Sequence, residues 1–122
     1  MPRYVSFFSY TGEAWGQMVE NPADRAEAAQ AAIEDAGGRM ESFYWTLGHH
    51  DGFVIYAMPD AVAAAAYSAA VCASGRLSRQ ETFQVLGAAE ATSALERAAV
   101  VSRAYRPPGA PADWRAEYDA LG

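Results

Sequence analysis

The stretch Ser42–Tyr56, reading SFYWTLGHHDGFVIY, constrains the fold more than any other part of the chain. Two aromatic, strand-like runs flank a tight Gly-His-His-Asp-Gly corner. Tyr44, Trp45, Phe53, Val54, Ile55 and Tyr56 are residue types that suit a pleated, half-buried surface. Asp51-Gly52 signals a hairpin turn, because glycine takes a positive φ without strain. The centre of the chain is therefore expected to be a β-hairpin whose corner carries both of the chain's histidines.

With 122 residues the chain has room for one core, and 52% hydrophobic composition without a low-complexity tract argues for a globular unit. No run of about 18 apolar residues occurs, and Met1-Pro2-Arg3-Tyr4 leads into a strand pattern without the apolar region of a signal peptide. A cytoplasmic location is the expectation. Nine arginines, scattered, face fifteen Asp and Glu for a formal charge of −6. Such a surface repels phosphate, so neither nucleic acid nor an anionic membrane is an expected partner. Cys72 stands alone in the alanine-rich Val62–Ala73 segment, where the role of a small buried hydrophobe is expected and no disulfide can form.

The order along the chain is strand, helix, strand, strand, helix, strand, then a tail. Arg3–Tyr10 reads as the first strand. Thr11 caps a short helical stretch through Val19, and Asn21-Pro22 then opens a better helix with Asn as N-cap, Pro at the first helical position and Asp24 in the first turn. Ala26, Ala29, Ile33 and Ala36 form its apolar stripe, Arg25, Glu27, Gln30 and Glu34 fall elsewhere, and Gly37-Gly38 ends it. Pro59-Asp60 starts a second helix carrying Val62, Ala65, Ala66, Ala69 and Ala73, stopped at Ser74-Gly75. Arg76–Leu86 supplies the fourth strand.

This βαββαβ order predicts an α+β fold, the ferredoxin-like plan with a four-stranded antiparallel sheet and both helices on one face. The other face is then bare, although strand one is apolar on both sides, with Val5 and Phe7 on one and Tyr4, Phe8 and Tyr10 on the other. Burying about 600 Å² of it at about 25 cal/mol/Å² gives a gross gain of about 15 kcal/mol, so cover by a second copy is expected. Tyr4, Phe8, Phe43 and Trp45 are the expected oligomer contacts, making the partner another copy of the chain in a homodimer or higher homo-oligomer.

Pro2-Arg3-Tyr4-Val5-Ser6, the Gly37-Gly38-Arg39 turn and Phe43-Tyr44-Trp45-Thr46-Leu47-Gly48 followed by Asp51 resemble the GYD-domain family, small bacterial proteins of the dimeric α+β barrel group. The likeness spans roughly residues 2 to 87. That family carries a Gly-x-Tyr-Asp tetrad where this chain has Gly48-His49-His50-Asp51, so Gly48 and Asp51 match and His50 replaces the tyrosine. The resemblance implies a ferredoxin-like, self-associating domain of largely uncharacterised biochemistry. Related α+β barrels include cofactor-free monooxygenases, isomerases and heme-binding enzymes, an analogy at the level of fold.

The His49-His50-Asp51 corner is the one constellation with the residue types of acid–base chemistry. An imidazole near neutral pKa beside a carboxylate suits proton transfer, provided that it faces an enclosed cleft beside Tyr44, Trp45 or Tyr10. Adjacent residues in extended structure point to opposite sides, so one pocket would see one of these rings, and the plainer reading is a polar hairpin corner. No spaced His or Cys pair supports a metal site, and no cofactor motif is present. Tyr10, Trp15, Tyr44, Trp45 and Tyr56 are the candidate lining of a cleft for a small, flat, partly apolar ligand, with plain core packing as the alternative.

Residues 1–101 are expected to form the domain together with a helix over Ala88–Val101, and 102–122 a proline-rich linker and short docking helix. Trp114, Tyr118 and Leu121 share one helical stripe behind Pro107-Pro108-Gly109-Ala110-Pro111. A helix that short needs a surface, either on its own assembly or on a different protein that it recruits. Two functions follow from these readings. One is a non-catalytic small-molecule-binding or assembly module. The alternative is a cofactor-independent enzyme using His50 or His49 as acid/base on an aromatic or polyketide-like substrate, with Asp51 orienting the ring.

Overall fold

The computed structural model describes residues 1–116. In chain order the elements are β1 (Arg3–Tyr10), α1 (Gly12–Glu20), α2 (Arg25–Asp35), β2 (Arg39–Trp45), β3 (Gly52–Ala57), α3 (Ala61–Ala73), β4 (Leu77–Val85) and α4 (Ala88–Ala104). They fall into two compact units, Met1–Val85 and Leu86–Gly122. In the first unit the strands form one antiparallel sheet in the order β2-β3-β1-β4, which with its helices is a ferredoxin-like α+β fold.

Local chemistry sets the element ends. Thr11 accepts a hydrogen bond from Ala14 N–H and caps α1, and Asp60 accepts one from Ala63 N–H and caps α3. The cap of α2 is Asp24 rather than Asn21, because the Asp24 carboxylate accepts from both Ala26 and Glu27 N–H. Gly37 closes α2 at φ +91°, a left-handed conformation that a side chain would strain. In the second unit Glu90 accepts from Gly87 N–H at the start of α4. There Arg115 donates to Ser102 O at 2.7 Å and its guanidinium lies 4.4 Å over the Trp114 ring. Tyr118 and Leu121, expected to share a stripe with Trp114, lie outside the described residues.

The core of the first unit joins Tyr4, Val54, Tyr56 and Met58 to Ile33 of α2 and to Ala64 and Tyr67 of α3. Along β1 the burial alternates, with Tyr4, Ser6 and Phe8 under the helices. Tyr4 and Phe8, expected at an oligomer contact, are therefore buried within their own chain at 6% exposure each. Phe43 packs against the same core, and Trp45 stacks on Tyr10 and Trp15 on the helix side. This side buries the aromatic rings of Tyr4, Phe8 and Tyr56, and its one polar residue in β1 is satisfied there, Ser6 Oγ lying 2.8 Å from Tyr56 Oη. The opposite face carries Val5, Phe7, Phe53 and Ile55, with Tyr44 and Phe83 more exposed at its margins.

The hairpin turn also differs from expectation. It spans Thr46–Asp51, closed by Thr46 N–H donating to Asp51 O at 2.9 Å, and Gly52 is already a residue of β3 without a positive φ. Glycine is required there by space. A Cβ at position 52 would stand 2.6 Å from Phe8 Cζ and 2.7 Å from Tyr44 O. The buried side of α3 consists of Ala64 and Tyr67, flanked by the half-buried Ala63 and Val71, whereas Val62 is exposed. Cys72 is exposed rather than buried, its Sγ 3.5 Å from Gln80 Oε1. Among the described residues no helix is long and apolar enough to cross a membrane.

Candidate functional site

The hairpin corner separates the three residues that looked like a catalytic set. Asp51 points toward α1, where its Oδ2 accepts from Tyr10 N–H at 2.8 Å and from Trp15 Nε1–H at 3.3 Å, while its own N–H donates to Phe8 O at 2.8 Å. It fastens the turn to the end of β1 and to α1. His50, one residue earlier, points to the other face of the sheet, its ring 5.2 Å from that of Phe7 and its Nε2 3.9 Å from Glu81 Oε1. Its Nδ1 is buried and finds no hydrogen-bond partner among the described residues. His49 is exposed and meets Arg79 through Nε2. Asp51 is thus hydrogen-bonded away from both imidazoles and orients neither.

A cavity of about 240 Å³ opens instead on the helix side, between the sheet and the helices α2 and α3. Its floor is Ser6 and Phe8 of β1, Phe43 of β2 and Val54 of β3, and Ala28, Ala29 and Ala32 of α2 form one wall. Close packing would ordinarily fill such a space, but methyl groups on three of the wall positions are too short to reach across it. Tyr67 and Val71 form the α3 wall, and Tyr10, Arg25 and Arg76 stand at one end. At that end lies a second cavity of about 260 Å³, lined by α1 residues and again by Tyr10, Arg25 and Arg76.

The polar groups of the cavity are mostly committed to one another. Ser6 Oγ bonds both Tyr56 Oη and Thr82 Oγ1 at 2.8 Å, Thr82 reaches Ser68 at 3.2 Å, and Gln80 Nε2 donates to Ser68 Oγ at 3.3 Å. This string of hydroxyls and an amide runs from the floor to β4 and satisfies itself. Burial, with the neighbouring Tyr56 and Tyr10 adding to it and Arg25 opposing, pushes the Tyr67 phenol up from 10.0 to about 12. Tyr67 is accordingly a neutral hydroxyl at physiological pH. Arg76 is held by Glu13, Nη1 to Oε1 at 3.3 Å, whereas Arg25 Nε is buried without a hydrogen-bond partner among the described residues.

Of the five aromatic residues expected to line a cleft, Tyr10 does so. Trp15 meets Tyr10 edge-on and Trp45 lies tilted against it, at 5.6 and 5.7 Å, and the two extend the aromatic wall beyond the cavity's lining. Tyr44 stands on the opposite face of the sheet against Phe53, and Tyr56 is wholly buried in the core. Neither histidine lines either cavity. The residue that sequence reasoning passed over is Arg25, set apart there from the apolar stripe of α2. Its spacing held the signal, because 25, 28, 29 and 32 are successive positions of one helix face.

Sheet order, helix placement and the covered cavity define a ferredoxin-like α+β domain. The GYD domain family matches residues 4–95, and the chain belongs to that family. No curated protein matches the chain significantly.

Proposed function

We propose that this GYD domain is a self-associating, non-catalytic module that binds a small, largely apolar molecule in the cavity beneath α2 and α3. The observation that carries the reading is the cavity itself, an aromatic and alanine-lined space of about 240 Å³ inside a well-packed first unit. Ligand pockets of folded proteins begin at about 300 Å³, so the space fits a compact ligand of fragment size. Self-association is supported by the face opposite the cavity, where Phe7, Phe53 and Phe83 form a cluster of rings and Phe83 is 50% exposed. A cofactor-independent enzyme with His50 or His49 as acid/base has less support, since proton transfer needs an imidazole at the ligand and neither cavity contains one.

The test is to titrate the protein with 2-naphthol, a neutral two-ring probe, and follow amide and methyl NMR shifts. The largest changes are expected at Val54, Val71 and the alanines of α2. Changes confined to the neighbourhood of Phe83 and Tyr44, or to the histidines, would contradict the reading.

A further inference from the structure

Charge is distributed unevenly around the two cavities. Fifteen Asp and Glu outnumber nine arginines in the chain, yet no carboxylate lines either cavity, while Arg25 and Arg76 line both. Of the two guanidinium groups at the end of the first cavity, Arg76 is paired with Glu13, and Arg25 takes part in no ion pair among the described residues. The neighbouring acids are turned away. Asp24 accepts from the first N–H groups of α2, and Glu13 is taken by Arg76.

Arg25 then stands out by what it lacks. A buried guanidinium N–H without a partner is costly, whereas Ser6 and Gln80 are joined in the hydroxyl string and Ser74 Oγ donates to Val71 O. A carboxylate is the ligand group whose two oxygens match the fork of an arginine, and such a charge-assisted pair is about twice as strong as a neutral hydrogen bond. The remaining walls, Phe8, Phe43, Val54 and the α2 alanines, are apolar and suit an uncharged hydrocarbon body. Tyr67, held as a neutral phenol, adds a donor on the α3 wall, close enough for the Arg25 charge to act on it.

Resting on the reading of this cavity as the ligand site, we propose that its ligand is a compact organic monoanion, an apolar ring body bearing one carboxylate, with the carboxylate held by Arg25 and the body lying on Phe8, Phe43 and Val54.

Calorimetric titration of the whole chain with 2-naphthoate and with its neutral counterpart 2-naphthamide tests this. Wild type is expected to bind the acid about tenfold or more tightly than the amide, the size of one hydrogen bond to a charged group. Arg25→Gln should bind the two equally, and Arg25→Lys should retain part of the preference, because its ammonium keeps the charge and loses the fork. Equal binding of acid and amide by wild type overturns the anion and leaves the cavity as a ligand site. A preference that survives in Arg25→Gln overturns the assignment to Arg25. Binding of neither probe overturns both readings together.

Discussion

The hairpin corner and the helix-side cavity lie on connected strands and are built on opposite principles. The corner gathers His49, His50 and Asp51 within three positions, yet each is turned outward to a different partner, with Asp51 on Tyr10 and Trp15, His50 on Phe7 and Glu81, and His49 on Arg79. The cavity draws its lining from seven places between Ser6 and Gln80, three alanines and four aromatics among them, and has at one end the half-buried Arg25 with its unpartnered Nε. Residue types associated with chemistry are here consumed by architecture. A binding space arises where side chains are too small to fill the gap between well-made elements.

If the corner is structural, its residues govern folding and assembly rather than binding. The largest effect is expected at Gly52. Gly52→Val drives a side chain into the Phe8 ring and the Tyr44 carbonyl, and a loss of about 3 kcal/mol in chemical unfolding is expected, enough to lower the yield of folded protein. Next comes the face on which His50 rests. Phe83→Asp places a charge among Phe7, Phe53 and Phe83 and should weaken self-association about a hundredfold in sedimentation equilibrium, and a wild type that stays monomeric at micromolar concentration would remove that half of the proposed function.

Asp51→Ala follows in size. It leaves Tyr10 N–H and Trp15 Nε1–H without their acceptor and should cost about 2 kcal/mol, with a change in tryptophan emission. Loss of ligand binding without loss of stability in that variant would instead make the corner part of the site.

The cavity side is sharpened by alkali. The folded chain holds the Tyr67 proton up to about 12, whereas the unfolded chain releases it near 10.0. The stabilisation is therefore whole below pH 10.0 and is lost as pH rises through about 12. Tyr67→Phe should make the alkaline decline of the melting temperature shallower, and a ligand that packs against Tyr67 should carry the wild-type decline on to higher pH.

Much of the fold was legible because local signals agreed. The β1 bounds at Arg3 and Tyr10, the caps at Thr11 and Asp60 and the stops at Gly37 and Ser74-Gly75 follow from strand-forming residues, hydroxyl or carboxylate acceptors and glycine. Which face of β1 the helices take was not legible, since Val5 and Phe7 are as apolar as Tyr4 and Phe8. The Ser6–Tyr56 bond that satisfies the buried side joins residues 50 apart in sequence. The alanine-rich α3 hid its own orientation for a related reason, because one methyl after another gives no contrast between Ala64 inside and Ala65 outside. Asp24 displaced Asn21 as a cap by accepting two N–H groups, and that shift sets Arg25 at the first position of α2, on the cavity side. The candidate site was least legible of all. Tyr10 was visible as an aromatic at a strand end, whereas Arg25 gains its meaning only from the alanines one turn below it and the sheet across from them.

The most direct measurement compares 2-naphthoate affinity in two variants, His49→Gln/His50→Gln and Ala29→Leu. The first removes both imidazoles from the corner and touches no cavity lining; the second fills the space beneath α2 with a larger side chain. Wild-type affinity is expected in the histidine variant and its loss in Ala29→Leu, with both variants folded by circular dichroism. Loss of binding in the histidine variant, with Ala29→Leu unaffected, would contradict the cavity as the ligand site and return the function to the corner.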